Sequence, residues 1–217
     1  MRKMCFIDIE TTGLNHWAHS PHQISGIIAD LKKDGDALSI IPKEEFNFRC
    51  RAFPGQEVDL KALEVSGITM EMLENFPSPV DVHLEFVDLL SHHVDKYNKA
   101  DKLIFTAYNA RFDEDFMRRW FYNAVGPKNY FGSWFFTPNL DVMQLAVRTL
   151  LFKRHELPDF KQSTVAQALG IPVDESRLHE AQYDIEIMMN IFRKCLRIPM
   201  EGELSDGEKP ENEAVAG

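Results

Sequence analysis

The 217-residue sequence has no apolar run of membrane-spanning length. Its opening, Met1-Arg2-Lys3-Met4-Cys5-Phe6-Ile7-Asp8, brings in an acid after only a short apolar stretch, which excludes a secretory signal core. A cytoplasmic protein with no membrane partner is therefore expected. Cysteine is scarce. Cys5, Cys50 and Cys195 are scattered, odd in number and without a Cys-x-x-Cys spacing, so neither a disulfide framework nor a thiolate zinc site is indicated. Internal repeats and a linker between two cores are absent too. Basic excess is also lacking: 24 Lys and Arg face 34 Asp and Glu, a net charge of −10, where polyanion binders usually carry a basic footprint. The imbalance is uneven, because Glu201 to Gly217 holds six acids and one Lys, half of the excess. A carboxylate cluster that binds dications would reverse its own local field, so net charge does not exclude a nucleic acid partner.

What is present suits one globular domain, taken as residues 1–198, with 199–217 as an acidic, disordered tail able to contact a protein partner. Residues 3–9, Ile24 to Leu31 and Leu38 to Phe48 read as strands of an antiparallel meander. Val80, Leu84, Val87, Leu90 and Val94 recur at helical spacing, and Lys102 to Tyr108 reads as another strand. Helical patterns follow over Phe112–Val125, Leu140–Phe152, Gln162–Leu169 and Ala181–Leu196. Strands first and helices later, with one mixed crossover, indicate a three-layer α/β/α domain.

Asp8 and Glu10 lie two apart on the first strand, which points both to one face and Ile7 and Ile9 to the other. An acidic pair in an apolar strand is costly unless something compensates it, and two carboxylates on one face present oxygen ligands to a hard cation. The small-residue turn Thr11-Thr12-Gly13 that follows would let the backbone approach a substrate closely. Asp113 sits in the first turn of a helix, where capping and the dipole already favour an acid, and the same holds for Asp141. His179 and Asp184 have a His-x-x-x-x-Asp spacing that recurs at His83 and Asp88. Five helical residues rotate about 140°, so the pair converges only if His179 lies in the loop before its helix. His83 falls inside a helix and reads as surface. His16, His19 and His22 read as solvated loop.

Together, Ile7 to Leu14, Tyr108 to Asp113, and Leu178 to Asp184 resemble, in order, the three motifs of the DEDDh (DnaQ-like) 3′→5′ exonucleases. Ala62 to Thr69 is similar to the family's connecting segment. Tyr108, where many members have His, and Leu140 to Met143 lean toward the nuclease domain of bacterial exonuclease I. The resemblance implies an RNase H-like fold with a central mixed five-stranded sheet. It also implies two Mg²⁺ or Mn²⁺ ions held by Asp8, Glu10, Asp113 and Asp184, with His179 as general base. Thr11, Thr12, Gly13 and Leu14 are then expected at the terminal nucleotide, with Tyr108, Asn109 and Phe112 supporting the substrate side and Trp17 a candidate for base stacking. The expected activity is release of nucleoside monophosphates from 3′ ends of single-stranded DNA. The rivals are an exoribonuclease or oligoribonuclease, a polymerase proofreading subunit, and an inactive nucleic-acid-binding module. Tyr130 to Phe136 reads as a hydrophobic cluster under a loop in preference to a stacking platform.

Overall fold

The computed structural model describes residues 1–127, 130–178 and 180–200; His179 and the acidic segment from 201 onward lie outside them. Three long strands open the chain: β1 (Arg2–Thr11), β2 (Pro21–Asp34) and β3 (Ala37–Arg49). Helices α1 (Leu60–Val65), α2 (Met70–Asn75) and α3 (Pro79–His93) lead to β4 (Ile104–Ala107). After α4 (Ala110–Val125) and the single turn α5 (Phe131–Trp134) come β5 (Leu140–Asp141), α6 (Val142–Thr149), α7 (Gln162–Ala168) and α8 (Ala181–Leu196). The strands form the mixed five-stranded sheet that the resemblance implies, with β1, β2 and β3 as the expected antiparallel meander; the order is β3-β2-β1-β4-β5, and β1 runs parallel to β4.

The central strand shows why the domain has three layers. Along β1, Cys5, Ile7 and Ile9 enter one apolar cluster, while Met4 and Phe6 enter a second on the opposite face. A strand buried on both sides needs cover on both sides. Aromatic residues of α3, α4 and α5 supply one cover, among them Phe86, Phe116, Trp120, Phe121 and Phe131. Aliphatic and Met residues of α6, α7 and α8 supply the other. The β2–β3 hairpin closes through Gly35-Asp36, with Gly35 at φ +56°, the left-handed conformation a two-residue turn requires. Ser78 caps α3 by accepting the Val80 N–H, and Pro79 takes the first helical position, where its missing N–H costs nothing.

Several expectations need correction. The helix over 79–93 is present, but its buried face is Pro79, Val82, His83, Phe86 and Leu90, and Val80 and Leu84 are exposed. Both stripes satisfy helical spacing. The larger Phe86 takes the core, and His83 comes with it. His83 is only 4% exposed and packs edge-on against Phe121 at 4.6 Å, so it is not a surface residue. His22 lies inside β2 and is buried, not a solvated loop residue. The helix expected from Leu140 begins two residues later, after β5. Phe131, Trp134 and Phe135 are core, as expected.

Candidate active site

Pairing of β1 with β4 ends at Phe6 opposite Thr106, so the next residues of β1 extend past its parallel neighbour. Strand alternation puts Asp8 and Glu10 on the face of Met4 and Phe6, the side covered by α8. Asp184 is in the first turn of α8 and Asp113 in the first turn of α4, in opposite helical layers. Burial, then the charges of Glu10 and Asp184, push the Asp8 carboxyl well above its ordinary pKa. Asp113, 4% exposed, is raised by burial and then by Asp8, against hydrogen bonds from its own and the Ile9 backbone N–H. Four carboxylates from three separate segments thus bear on one another, with Asp8 in common.

Among the described residues, no three His, Cys, Asp or Glu side chains are drawn together as a finished metal-ligand set. The donor chemistry nevertheless fits a hard dication. Mutually repelling, desolvated carboxylates are expensive without a counter-charge, and oxygen ligands are what Mg²⁺ and Mn²⁺ prefer.

The structure adds two residues to this group. Ser66, on the turn after α1, donates its hydroxyl to Glu10 Oε2 at 2.9 Å. His22 Nε2 stands 3.2 Å from Ser66 Oγ. With the hydroxyl proton directed to Glu10, His22 Nε2 is the donor in that contact. Burial, then the Arg49 charge, lower the His22 pKa to about 4, which keeps the ring neutral at neutral pH. Ser66 falls within the Ala62 to Thr69 resemblance, but nothing local in the sequence ties His22 to it.

The turn after β1 is braced from within. The Thr11 hydroxyl donates to Gly13 O at 2.8 Å; the Thr12 hydroxyl donates to Glu57 O at 2.9 Å and accepts the Ser20 N–H at 3.0 Å. Both threonines are buried, so their side chains secure the turn and do not line an open pocket. A Cβ on Gly13 would stand 2.3 Å from the His19 ring, so the space saved by this glycine is taken by His19. Leu14 and Trp17, by contrast, are 85% and 66% exposed.

In the second motif the Tyr108 hydroxyl donates to Phe160 O at 2.8 Å, a structural tie. Asn109 takes the left-handed conformation before α4 and gives its N–H to Asp141 Oδ1 at 3.1 Å; the same oxygen caps α6 through Met143 N at 2.9 Å. Phe112 is half-buried, packs on Phe116 and borders the same cavity as Leu14.

A sequence model described as exonuclease matches residues 5–192, spanning all three acidic segments. The chain belongs to this exonuclease family. It is 27% identical over 192 residues to ribonuclease T of Buchnera aphidicola, covering 88% of this chain and 82% of that one. It is also 27% identical to DNA polymerase III PolC-type of Thermotoga petrophila, of which it spans 12%. In three dimensions it resembles E. coli exonuclease I in complex with a dT13 oligonucleotide, with TM-score 0.63 and 23% identity, over 89% of this chain and 41% of that one. The likeness to exonuclease I is thus met at the level of fold.

Proposed function

We propose that this exonuclease is metal-dependent, acts in the cytoplasm and removes nucleoside monophosphates from the 3′ end of single-stranded DNA. The observation that carries the reading is the convergence of Glu10, Asp184 and Asp113 on Asp8, four acids whose mutual charge calls for a cation. Two Mg²⁺ or Mn²⁺ ions bound there would supply positive charge to the scissile phosphate and the leaving oxygen. Asp8, Glu10, Asp113 and Asp184 hold them, directly or through water, and Ser66 and His22 orient Glu10 for that task. His179, which precedes the α8 cap residue Glu180 in the chain, takes the proton from the attacking water and must be neutral to do so. Leu14 and the backbone of the Thr11 to Gly13 turn receive the terminal nucleotide, with Asn109 and Phe112 on its other side.

The similarity to ribonuclease T favours a second reading, the same hydrolysis on RNA ends. One experiment tests both: 5′-labelled single-stranded DNA, matched RNA and duplex DNA are incubated with protein in Mg²⁺, Mn²⁺ or EDTA and resolved on a sequencing gel. A metal-dependent ladder shortening from the 3′ end is expected, fastest on single-stranded DNA. A ladder confined to RNA would replace DNA as substrate, and intact strands in every lane would overturn the enzymatic reading.

A further inference from the structure

Leu14, Asn109 and Phe112 border a cavity of about 290 Å³ that also takes in His16 and Asp115. His16 and Asp115 belong as well to a second cavity of about 420 Å³, walled by Trp17, Arg119 and Tyr122. Trp17 and Arg119 continue into a third of about 400 Å³ that reaches Phe53 and Gly55. The three cavities adjoin through shared wall residues, a grooved strip that begins at the residues assigned to the terminal nucleotide.

Its central feature is a cation held between two aromatic rings. The Arg119 guanidinium lies 4.8 Å from the Trp17 ring centroid and 4.9 Å from that of Tyr122. Arg119 Nε is buried without a hydrogen-bond partner. The neighbouring arginines are engaged: Arg118 pairs with Glu114 at 2.5 Å and Arg111 with Asp115 at 3.7 Å. Among the described residues Arg119 makes no ion pair, although Asp115 lines the same cavity. Trp17 is 66% exposed, whereas Trp120 and Trp134 are buried. An exposed indole backed by a guanidinium offers a π-face to a base and a charge to a phosphate, a combination that suits a single strand independently of sequence.

We infer that this groove carries the nucleotides upstream of the 3′-terminal one, a base stacked on Trp17 and a backbone phosphate on Arg119. The inference rests on the exonuclease reading above and gives the enzyme a grip beyond the terminal nucleotide.

The full chain in EDTA is titrated with a thymidine dinucleotide and an octanucleotide, following tryptophan emission and, with end-labelled strands, anisotropy. The same octanucleotide is digested in parallel with Mg²⁺. Octanucleotide binding is expected to quench the exposed tryptophan and to exceed dinucleotide binding. Trp17→Ala and Arg119→Gln should each shrink that length-dependent gain by roughly 5- to 100-fold, and Trp17→Phe should restore most of it. Arg119→Gln should also lower the salt slope of log K by about one phosphate contact. Should Arg119→Gln fail to fold, Trp17→Ala, at an exposed position, decides. Cleavage of the octanucleotide with unchanged emission, or variants that keep the full gain, overturns the groove and leaves the exonuclease standing. A strand neither bound nor cut overturns both.

Discussion

The two helical layers that sandwich the sheet differ in substance and in how they deliver a carboxylate. The α3–α5 side is crowded with Phe and Trp rings, and its acid, Asp113, is almost fully enclosed and held by the Ile9 N–H. The α6–α8 side is mostly Ile, Val, Met and Ala, with Tyr183 and Phe192 as its buried helical aromatics, and its acid, Asp184, is only half-buried. Both acids stand in the first turn of a helix, where the dipole offsets part of their charge. One position in a helix thus yields a locked carboxylate or a more accessible one according to the packing behind it.

The largest effect that would break this comparison is on cleavage. Asp113→Asn and Asp184→Asn should both abolish it. In metal-free protein, Asp113→Asn should raise the melting temperature more, since it removes the more deeply buried of two repelled charges. Equal shifts in calorimetry would mean the two sites are enclosed alike. Next come the histidines. His179→Ala is expected to lower the rate by about 10²–10⁴. His83→Ala should leave the rate nearly unchanged but destabilise the aromatic layer by about 2–5 kcal/mol, a large-to-small change in a packed core, measured by urea unfolding. A slow but fully stable His83→Ala protein would reverse those roles. Ser66→Ala should weaken Mn²⁺ affinity by about 10- to 100-fold with the fold intact, measured by titration calorimetry, because it frees the Glu10 carboxylate to reorient. The smallest effect is on pH. His83 and His22 each have a folded pKa of about 4, below the ordinary 6.5, mainly through burial. The unfolded chain therefore takes up more protons between those values. Their contribution is intact above pH about 6.5 and is lost as pH falls to about 4, so His83→Phe should flatten the decline in stability over that window.

Legibility in the sequence followed length and repetition. The α8 helix was read with its observed limits, Ala181–Leu196, because sixteen residues repeat their pattern several times. The six-residue α1 and α2 and the two-residue β5 are too short to establish any period, and they went unread. The misphased stripe of α3 has a different cause. Two faces of the helix are apolar enough to qualify, and spacing alone does not tell which of them is buried. Asp8 and Glu10 were legible because strand alternation states a face outright. The Ser66–His22 contact was not, because the residues are far apart in sequence and meet only through the fold.

The clasp at Asp141 has a consequence for how the sheet opens. Strand β5 meets β4 through only two residue pairs, Thr106 with Leu140 and Ala107 with Asp141. One carboxylate oxygen at that margin secures both the amide of Asn109 and the start of α6. Parting of β5 from β4 would release the Asn109 amide to solvent, while the long β1–β2 ladder need not loosen. Deuterium uptake at Asn109, ahead of uptake in β1, would therefore register a local opening at the entrance to α4, the helix that carries Asp113.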